Sequence, residues 1–249
     1  MKKTFMILVW LAVTLAVTAA IGQAQTIPKL SVEVGQAEDA KDLSVTLQIV
    51  LLMTVLTLAP SIILMVTSFI RLVVVLGFLR QAMGTQQLPP NQLLLSLALI
   101  LTFFIVSPAI NQGYNEGLKP YLDGQITKEE AFEKGTAPFK KFMLAQTREK
   151  DLALFVSISE SEQPETRDDI SFTVLVPAFV ISELRTGFQI AFLIFVPFLV
   201  IDMIVSSVLM SMGMMMLPPI MVSLPFKILL FVLVDGWYLL VKSLVESFY

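Results

Sequence analysis

The sequence of 249 residues contains no cysteine and no histidine. Their absence excludes disulfides, thiol nucleophiles, zinc sites built from Cys and His, and the side chain most often used as a general base. The GxGxxG, Walker-type and GxSxG patterns are also absent. No pair of carboxylates has a spacing that would build an acid–base site. The sequence therefore predicts a protein that is not an enzyme and that holds no metal or cofactor.

Charge is also scarce. Charged residues make up 15% of the chain, whereas soluble domains carry about 25%. Hydrophobic residues make up 56%, and the mean hydropathy is +0.81. A formal net charge of −3 argues against nucleic acid as a partner. The composition indicates an all-α protein that is inserted in, or assembled at, a membrane.

The first 24 residues have the pattern of a secretory signal peptide. Lys2 and Lys3 precede an apolar run from Phe5 to Ile21, and Gly22-Gln23-Ala24 supplies small residues at the −3 and −1 positions of a cleavage site after Ala24. The alternative is a first transmembrane helix that stays attached. The small residues and the polar lead-in over residues 25–42 favour cleavage.

Hydropathy divides the rest of the chain into three parts. Residues 43–110 are predicted to form a first helical hairpin of long apolar helices, with a kink at Pro60. Residues 111–169 hold 20 of the 37 charged residues and are predicted to be a helical segment followed by a loop. Within them, an amphipathic stretch around Pro138 is expected to form two short helices. Residues 170–249 form a second apolar helical region with a Met-rich loop.

Hydropathy alone places four membrane spans near residues 45–79, 92–110, 174–200 and 203–241. If the signal peptide places the mature N-terminus outside, the positive-inside rule puts the turn at Arg80 in the cytoplasm. The charged segment over residues 111–169 and the C-terminus then fall outside.

Four charged residues lie inside the later apolar runs: Glu183, Arg185, Lys227 and Asp235. Each would cost roughly 2.5–3.5 kcal/mol at the centre of a bilayer. They must therefore be paired, face a wet cavity, or lie outside the hydrocarbon. Structural ion pairs that fix the register of helices are favoured over a proton or ion path, because the chain has no histidine and no run of carboxylates.

Glu183 and Arg185 are two residues apart, so on a helix they point to different sides and cannot satisfy each other. Each is expected to find a partner on another helix or another subunit. Loss of Glu183 is expected to weaken the oligomer. Arg71, the one charge in the first apolar run, is a candidate buried charge, and Phe142 and Phe155 are further candidates for the interface.

Seven of the thirteen methionines lie between residues 203 and 221. The densest part of this run is Met212-Gly213-Met214-Met215-Met216, which leads into Pro218-Pro219. Methionine packs adaptably, so core filling is one interpretation. Consecutive side chains point in different directions, however, and one helix face cannot bury them all. We therefore expect a flexible apolar loop that seals a hole and yields to a passing chain.

In four stretches that keep their order along the chain, the sequence resembles the FliP family of flagellar type III export-gate subunits and its injectisome counterparts. The stretches are TSFIR at Thr67 through FLRQAMGTQQLPPNQ ending at Gln92, PAFVISELRTGF from Pro177, MGMMMLPP from Met212, and LPFK from Leu224 with VDGW from Val234.

The resemblance implies an all-α fold of helical hairpins, with five copies assembled with FliQ and one FliR into a closed, helically arranged pore. That pore would lie largely on the periplasmic side of the bacterial inner membrane, within the flagellar basal body. FlhB and FlhA homologues would be further partners, and unfolded export substrates would pass through. Met212 to Met216 would line the pore constriction.

Two alternatives remain open at this point. One is an injectisome homologue of the same gate, although the signal peptide and the long 111–169 insert favour the flagellar system. The other is a small secondary transporter with broken helices and an ion site at mid-membrane depth. Such transporters usually show an internal repeat, and the two apolar halves of this chain show none.

Overall fold

The computed structural model describes residues 40–85, 88–159, 164, 166–214 and 216–249. The predicted signal peptide, and residues 25–39 of the lead-in, lie outside the described residues. The chain divides into two units, Met1–Met53 and Thr54–Tyr249. Of the first unit, residues 40–53 are described and are helical. All further geometry belongs to the second unit.

Regular structure in the described residues is helical throughout, which confirms the all-α prediction. A π-helical turn, Tyr114–Leu118, joins α3 to α4, and a 3₁₀ turn, Arg167–Asp169, precedes α7. The α-helices are α1 (Ala40–Met65), α2 (Phe69–Ala82), α3 (Asn91–Gly113), α4 (Lys119–Leu122), α5 (Lys128–Gln146), α6 (Glu149–Ile158), α7 (Phe172–Ser211), α8 (Pro219–Leu233) and α9 (Gly236–Glu246).

Two helix boundaries differ from the predictions. The first apolar run is interrupted at residues 66–68, while Pro60 stays inside α1. At the interruption, the Thr67 hydroxyl donates to the Leu64 carbonyl oxygen at 3.3 Å, a local bond that competes with the helical ladder. Pro138 does not divide the amphipathic stretch either: α5 is one helix. It packs against α3 and α7, and this packing outweighs the one backbone bond that proline removes.

Helix α7 is the longest element, with 40 residues. At about 1.5 Å per residue it extends about 60 Å, roughly twice the thickness of a hydrocarbon core. The sequence predicted that a span would end near residue 200, but the helix continues through Asp202 to Ser211. Asp202 is accommodated because it is ion-paired with Lys227.

Among the described residues, three helical segments are long and apolar enough to cross a membrane: Leu47–Met65, Asn91–Leu122 and Phe172–Ser211. Helices α8 and α9 would make a fourth span if counted together, although they are bent by 65° relative to each other. These segments fit the predicted membrane association.

Helix α2 is the centre of the main core, where it packs against α3 and α7. Leu72, Val75 and Leu76 are fully buried along it. A second cluster, which includes Met143, Leu175 and Phe179, joins α5, α6 and the start of α7. Phe142 packs against both clusters.

The end of α3 approaches α5 at backbone distance. A Cβ added to Gly113 would lie 2.6 Å from the Gly135 carbonyl oxygen, and one added to Gly117 would lie 2.6 Å from the Gly135 backbone nitrogen. Only glycine fits such a crossing. The end of α3 and the turn after it are therefore held against α5 by close backbone contact.

Candidate functional site

Arg71 lies at the centre of the polar network that joins the helices. It extends from α2 and is 2% exposed, and its partner Glu183 on α7 is 0% exposed. The Nε atom donates to Glu183 Oε2 at 2.9 Å, and Nη2 donates to Glu183 Oε1. Nη2 also donates to Gln146 Oε1 of α5 at 3.0 Å. This bidentate geometry is the strongest that a guanidinium and a carboxylate can form.

The remaining nitrogen of Arg71 reaches the segment that follows α9. Nη1 donates to both the carbonyl oxygen and the hydroxyl of Ser247, each at 2.9 Å. The guanidinium carbon lies 3.8 Å from the centre of the Phe248 ring, and Gln146 Nε2 donates to the Phe248 carbonyl oxygen at 3.0 Å. A guanidinium has five N–H donors, and all five are used here. One hydrogen-bond network around Arg71 therefore connects α2, α5, α7 and residues 247–248.

A second ion pair links α8 to α7 and α2. Lys227 Nζ donates to Asp202 Oδ2 at 2.6 Å and to the Ala82 carbonyl oxygen at 3.1 Å. Ser223 donates to the other oxygen of Asp202 at 2.5 Å. Lys227 is 3% exposed and Asp202 is 29% exposed. Since Ala82 ends α2, the ammonium group lies at the negative end of that helix's dipole.

A third polar contact docks α6 onto α7, at Asp151. Ser182 donates to Asp151 Oδ2 at 2.6 Å and accepts from the Arg148 backbone nitrogen at 3.1 Å. Burial raises the pKa of the Asp151 carboxyl, but hydrogen bonds from Ser182 and Arg148 and the positive charges of Arg148 and Arg185 outweigh it. The pKa of Asp151 therefore lies below its ordinary value.

The Met-rich run forms a turn between α7 and α8. The backbone reverses at Gly213, which has a φ of +73° and nothing within 4 Å of the position a Cβ would take. Met212, Met214 and Met216 are 61%, 42% and 99% exposed. Met215 lies outside the described residues. Within this chain the described methionines of the turn are therefore not packed in the core.

The predicted site residues fall into separate places. Arg71 and Glu183 meet, and Phe142 adjoins them through a stacked contact with Phe248, at 6.3 Å between ring centres. Phe155 is half-buried against the second cluster. Arg185 is exposed.

The other predicted charges do not meet each other. Asp235 is exposed at the bend before α9, where its φ is +50°, and Lys227 is paired with Asp202 instead. The predicted site residues thus take part in two ion pairs, Arg71 with Glu183 and Lys227 with Asp202, whereas Arg185, Asp235 and the described methionines of the Met turn are exposed.

Sequence reasoning missed several partners of these charges, namely Gln146, Asp202, Ser223, Ser247 and Phe248. Asp202 carried a usable signal, because it is a charge inside an apolar run. The others are polar or aromatic residues with no spacing pattern that would distinguish them. Among the described residues, no group of three or more Asp and Glu side chains could hold a metal ion.

Comparison with known proteins gives a consistent result. The model of the FliP family matches residues 52–244. The flagellar biosynthetic protein FliP of Bacillus subtilis is 54% identical over 217 residues, which cover 87% of this chain and 98% of that protein. FliP of Caulobacter vibrioides is 51% identical over 248 residues, covering 100% of this chain and 92% of that protein. FliP of Aquifex aeolicus is 44% identical over 239 residues, which cover 95% of this chain and 98% of that protein.

Proposed function

This chain belongs to the FliP family of flagellar biosynthetic proteins, and from that membership we propose that it is a pore-forming subunit of the flagellar type III protein export gate. It conducts unfolded export substrates through a constriction made by Met212, Gly213, Met214, Met215 and Met216. It has no catalytic role in this proposal.

The observation that carries the proposal is the exposure of the Met turn. An apolar side chain such as Met216, 99% exposed, is unfavourable in water and calls for a covering surface. In a ring of subunits, copies of the turn would converge on the axis and exclude water from a narrow gap, as hydrophobic constrictions do in gated pores. Methionine suits such a gap because its unbranched side chain adapts to what passes.

The exposed apolar surface of α7 supports assembly with other membrane subunits. Phe192 and Leu193 along it are 69% and 70% exposed. We propose that self-association, to a pentamer as the family resemblance implies, and binding to FliQ and FliR homologues cover this surface, with FlhB and FlhA homologues alongside. The location in this proposal is the inner membrane within the basal body, largely on the periplasmic side, where a helix about 60 Å long can be surrounded by protein.

The proposal is tested on particles extracted from membranes in mild detergent. The chain, tagged at its C-terminus and expressed with tagged FliQ and FliR homologues, is expected to elute as one hetero-oligomer that contains several copies of itself. Native mass spectrometry measures the copy number. A monomer or dimer that carries neither partner would contradict the export-gate proposal and favour the secondary transporter.

Within the export-gate proposal, the relatives named above favour the flagellar system over the injectisome, since each is a flagellar protein by name. A flagellar null strain distinguishes the two. Expression of the chain is expected to restore swimming in a strain that lacks its own FliP, and to leave injectisome secretion unrestored in a strain that lacks the injectisome counterpart.

A further inference from the structure

We propose that α9 is a releasable strap, which closes over an apolar pocket and is held shut because Arg71 binds Ser247 and Phe248 at its end. The inference concerns the opening of α9 within one subunit and does not depend on the proposed pore.

The first end of the strap is a sharp hinge. Helices α8 and α9 are bent by 65°, and Asp235 at the bend adopts a φ of +50°, a left-handed conformation that is unusual for a residue other than glycine. At Gly236 a Cβ would lie 2.3 Å from the Phe231 ring. The chain therefore turns against α8 with no room for a side chain, and the direction of α9 is set at this point.

Between its ends, the strap packs against the main core and also lines one side of an apolar pocket. Leu240, Leu244 and Phe248 recur at four-residue spacing and are 6%, 0% and 8% exposed, so one stripe of α9 faces inward. Beside this stripe lies a pocket of about 430 Å³, lined by residues that include Phe198, Phe231 and Leu240. Side chains that border a void lose the contacts that a packed neighbour would supply. The side chains of α9 that line the pocket therefore lack part of the contacts that a filled core would supply.

The far end of the strap, Ser247 and Phe248, is held by Arg71 and Gln146, and we call these contacts the clasp. Both bonds of Arg71 Nη1 go to Ser247, the guanidinium lies over the Phe248 ring, and Gln146 donates to the Phe248 carbonyl oxygen. No other element supplies acceptors to Nη1 among the described residues.

Arg71 can lose its contacts with Ser247 and Phe248 while it keeps the ion pair with Glu183 that joins α2 to α7. If Ser247 moves away, Nε and Nη2 of Arg71 keep Glu183 and Gln146, so the buried positive charge stays compensated. Opening then swings α9 about Asp235 and exposes the walls of the pocket, Phe198 and Phe231 among them. The same arginine thus holds the hairpin to α7 and controls whether this apolar surface is available to a neighbouring helix.

The first test shortens the chain. Hydrogen exchange is compared between the full chain, a chain that ends at Glu246, and a control that lacks only Tyr249, which is 80% exposed, all purified in the same detergent. We expect the amides of α9 to exchange at least tenfold faster in the chain that ends at Glu246, with α2 and α7 unchanged, and the control to match the full chain. Equal exchange of α9 in all three chains would contradict the role of Ser247 and Phe248 in holding α9. If α2 and α7 lose protection together with α9, or if the shortened chain fails to fold, α9 cannot open independently of the α2–α7 contact, and the proposal is wrong.

The second test uses the full-length chain, which contains no native cysteine. Leu244→Cys and Leu76→Cys place one thiol each at positions that are both 0% exposed. If the strap opens in the native protein, a maleimide should modify the thiol at position 244 at least tenfold faster than the thiol at position 76. Equal rates would overturn the proposal.

Discussion

Arg71 and Glu183 lie 112 positions apart in the sequence and form a two-bond ion pair, 2.9 Å from Nε to Oε2, that is almost completely buried. The pair closes the contact between α2, at the centre of the core, and α7, the longest helix. Such a pair is costly to break from one side, because the remaining charge is left buried without its counter-charge.

We expect Glu183→Gln to destabilise the subunit itself by about 3–5 kcal/mol, the usual effect of removing one partner of a buried pair. The loss is measured as the free energy of unfolding and as the yield of folded chain in membranes. Arg185→Gln is the matched control, since Arg185 is exposed two residues further along α7 and should change stability by less than about 0.5 kcal/mol.

The stability of Glu183→Gln, compared with its assembly, would also decide how Glu183 affects assembly. The sequence predicted a partner on another helix or another subunit, and the partner is on another helix of the same chain. A variant that keeps normal stability but no longer assembles would return Glu183 to the subunit interface. A variant of normal stability and normal assembly would contradict both roles.

The ion pair between Lys227 and Asp202 predicts that removing one partner costs more stability than removing the other. Lys227 is 3% exposed, whereas Asp202 is 29% exposed, so Asp202→Asn leaves a buried charge and Lys227→Met leaves a partly solvated one. We expect Asp202→Asn to cost about 3 kcal/mol and Lys227→Met clearly less. The double variant should recover part of the loss, which a double-mutant cycle of unfolding free energies measures.

Lys242→Met serves as the control, because its ion pair with Glu246 is exposed and such pairs contribute about 0–1 kcal/mol. If Lys227→Met is as damaging as Asp202→Asn, the difference in burial does not govern the energetics of this pair.

The two ion pairs show what the sequence could and could not predict. The presence of structural ion pairs in the apolar runs followed from the cost of an unpaired charge in an apolar environment, and Arg71, Glu183 and Lys227 were all named. The identity of the partners did not follow, because it depends on which helices pack together. Lys227 meets Asp202, 25 positions earlier, and not Asp235, which is closer in sequence.

Helix boundaries were predicted less well than helix content. Hydropathy cannot distinguish a span from a helix that extends beyond the membrane, so α7 was divided although its backbone is continuous. Proline was given too much weight at position 138, since it lies inside one continuous helix. In contrast, the Met turn has local sequence signals, because Gly213 and Pro218-Pro219 are of the kind that end one helix and begin the next.

Protonation of Asp151 predicts how the docking of α6 depends on pH. The folded-state pKa of this carboxyl lies below its ordinary value of 3.8. Its contribution to stability is therefore fully present above that ordinary value and is lost as pH falls through the folded pKa. We expect the protection of the α6 amides, measured relative to their intrinsic exchange rates at each pH, to fall below about pH 4. This fall should be absent in Asp151→Asn, which should show lower protection already at about pH 7.

Gly117 and Gly77 test the close approach of the turn after α3 to α5. Because a Cβ at Gly117 would lie 2.6 Å from backbone atoms of Gly135, Gly117→Ala should destabilise the chain by about 1–3 kcal/mol through overpacking. A Cβ at Gly77, inside α2, would meet nothing within 4 Å, so Gly77→Ala should be neutral or stabilising by about 0.5–1 kcal/mol. Thermal unfolding of the two variants measures the difference, and equal effects would contradict the close approach.

The Met turn provides the prediction that connects sequence to the proposed function. Replacement of Met214, Met215 and Met216 by Ala removes several heavy atoms from each side chain. Since Met214 and Met216 are 42% and 99% exposed, their truncation removes little packing within the subunit, and the complex should still assemble. If the turns seal a pore, the shortened side chains leave a gap that water and ions can enter. We expect the inner membrane to leak small ions, while export continues at least in part.

Met203, Met210 and Met221 give a matched control, because they are 65% to 73% exposed and flank the turn. Their triple replacement by Ala removes the same number of atoms and should leave the membrane sealed. Conductance and assembly yield are measured on both triple variants. Core filling predicts instead a loss of about 2–5 kcal/mol for each buried methionine in the turn, and little recovered complex. A turn variant that assembles normally and stays fully sealed would leave the constriction without support, because exposure of the methionines would then have some purpose other than closing a pore.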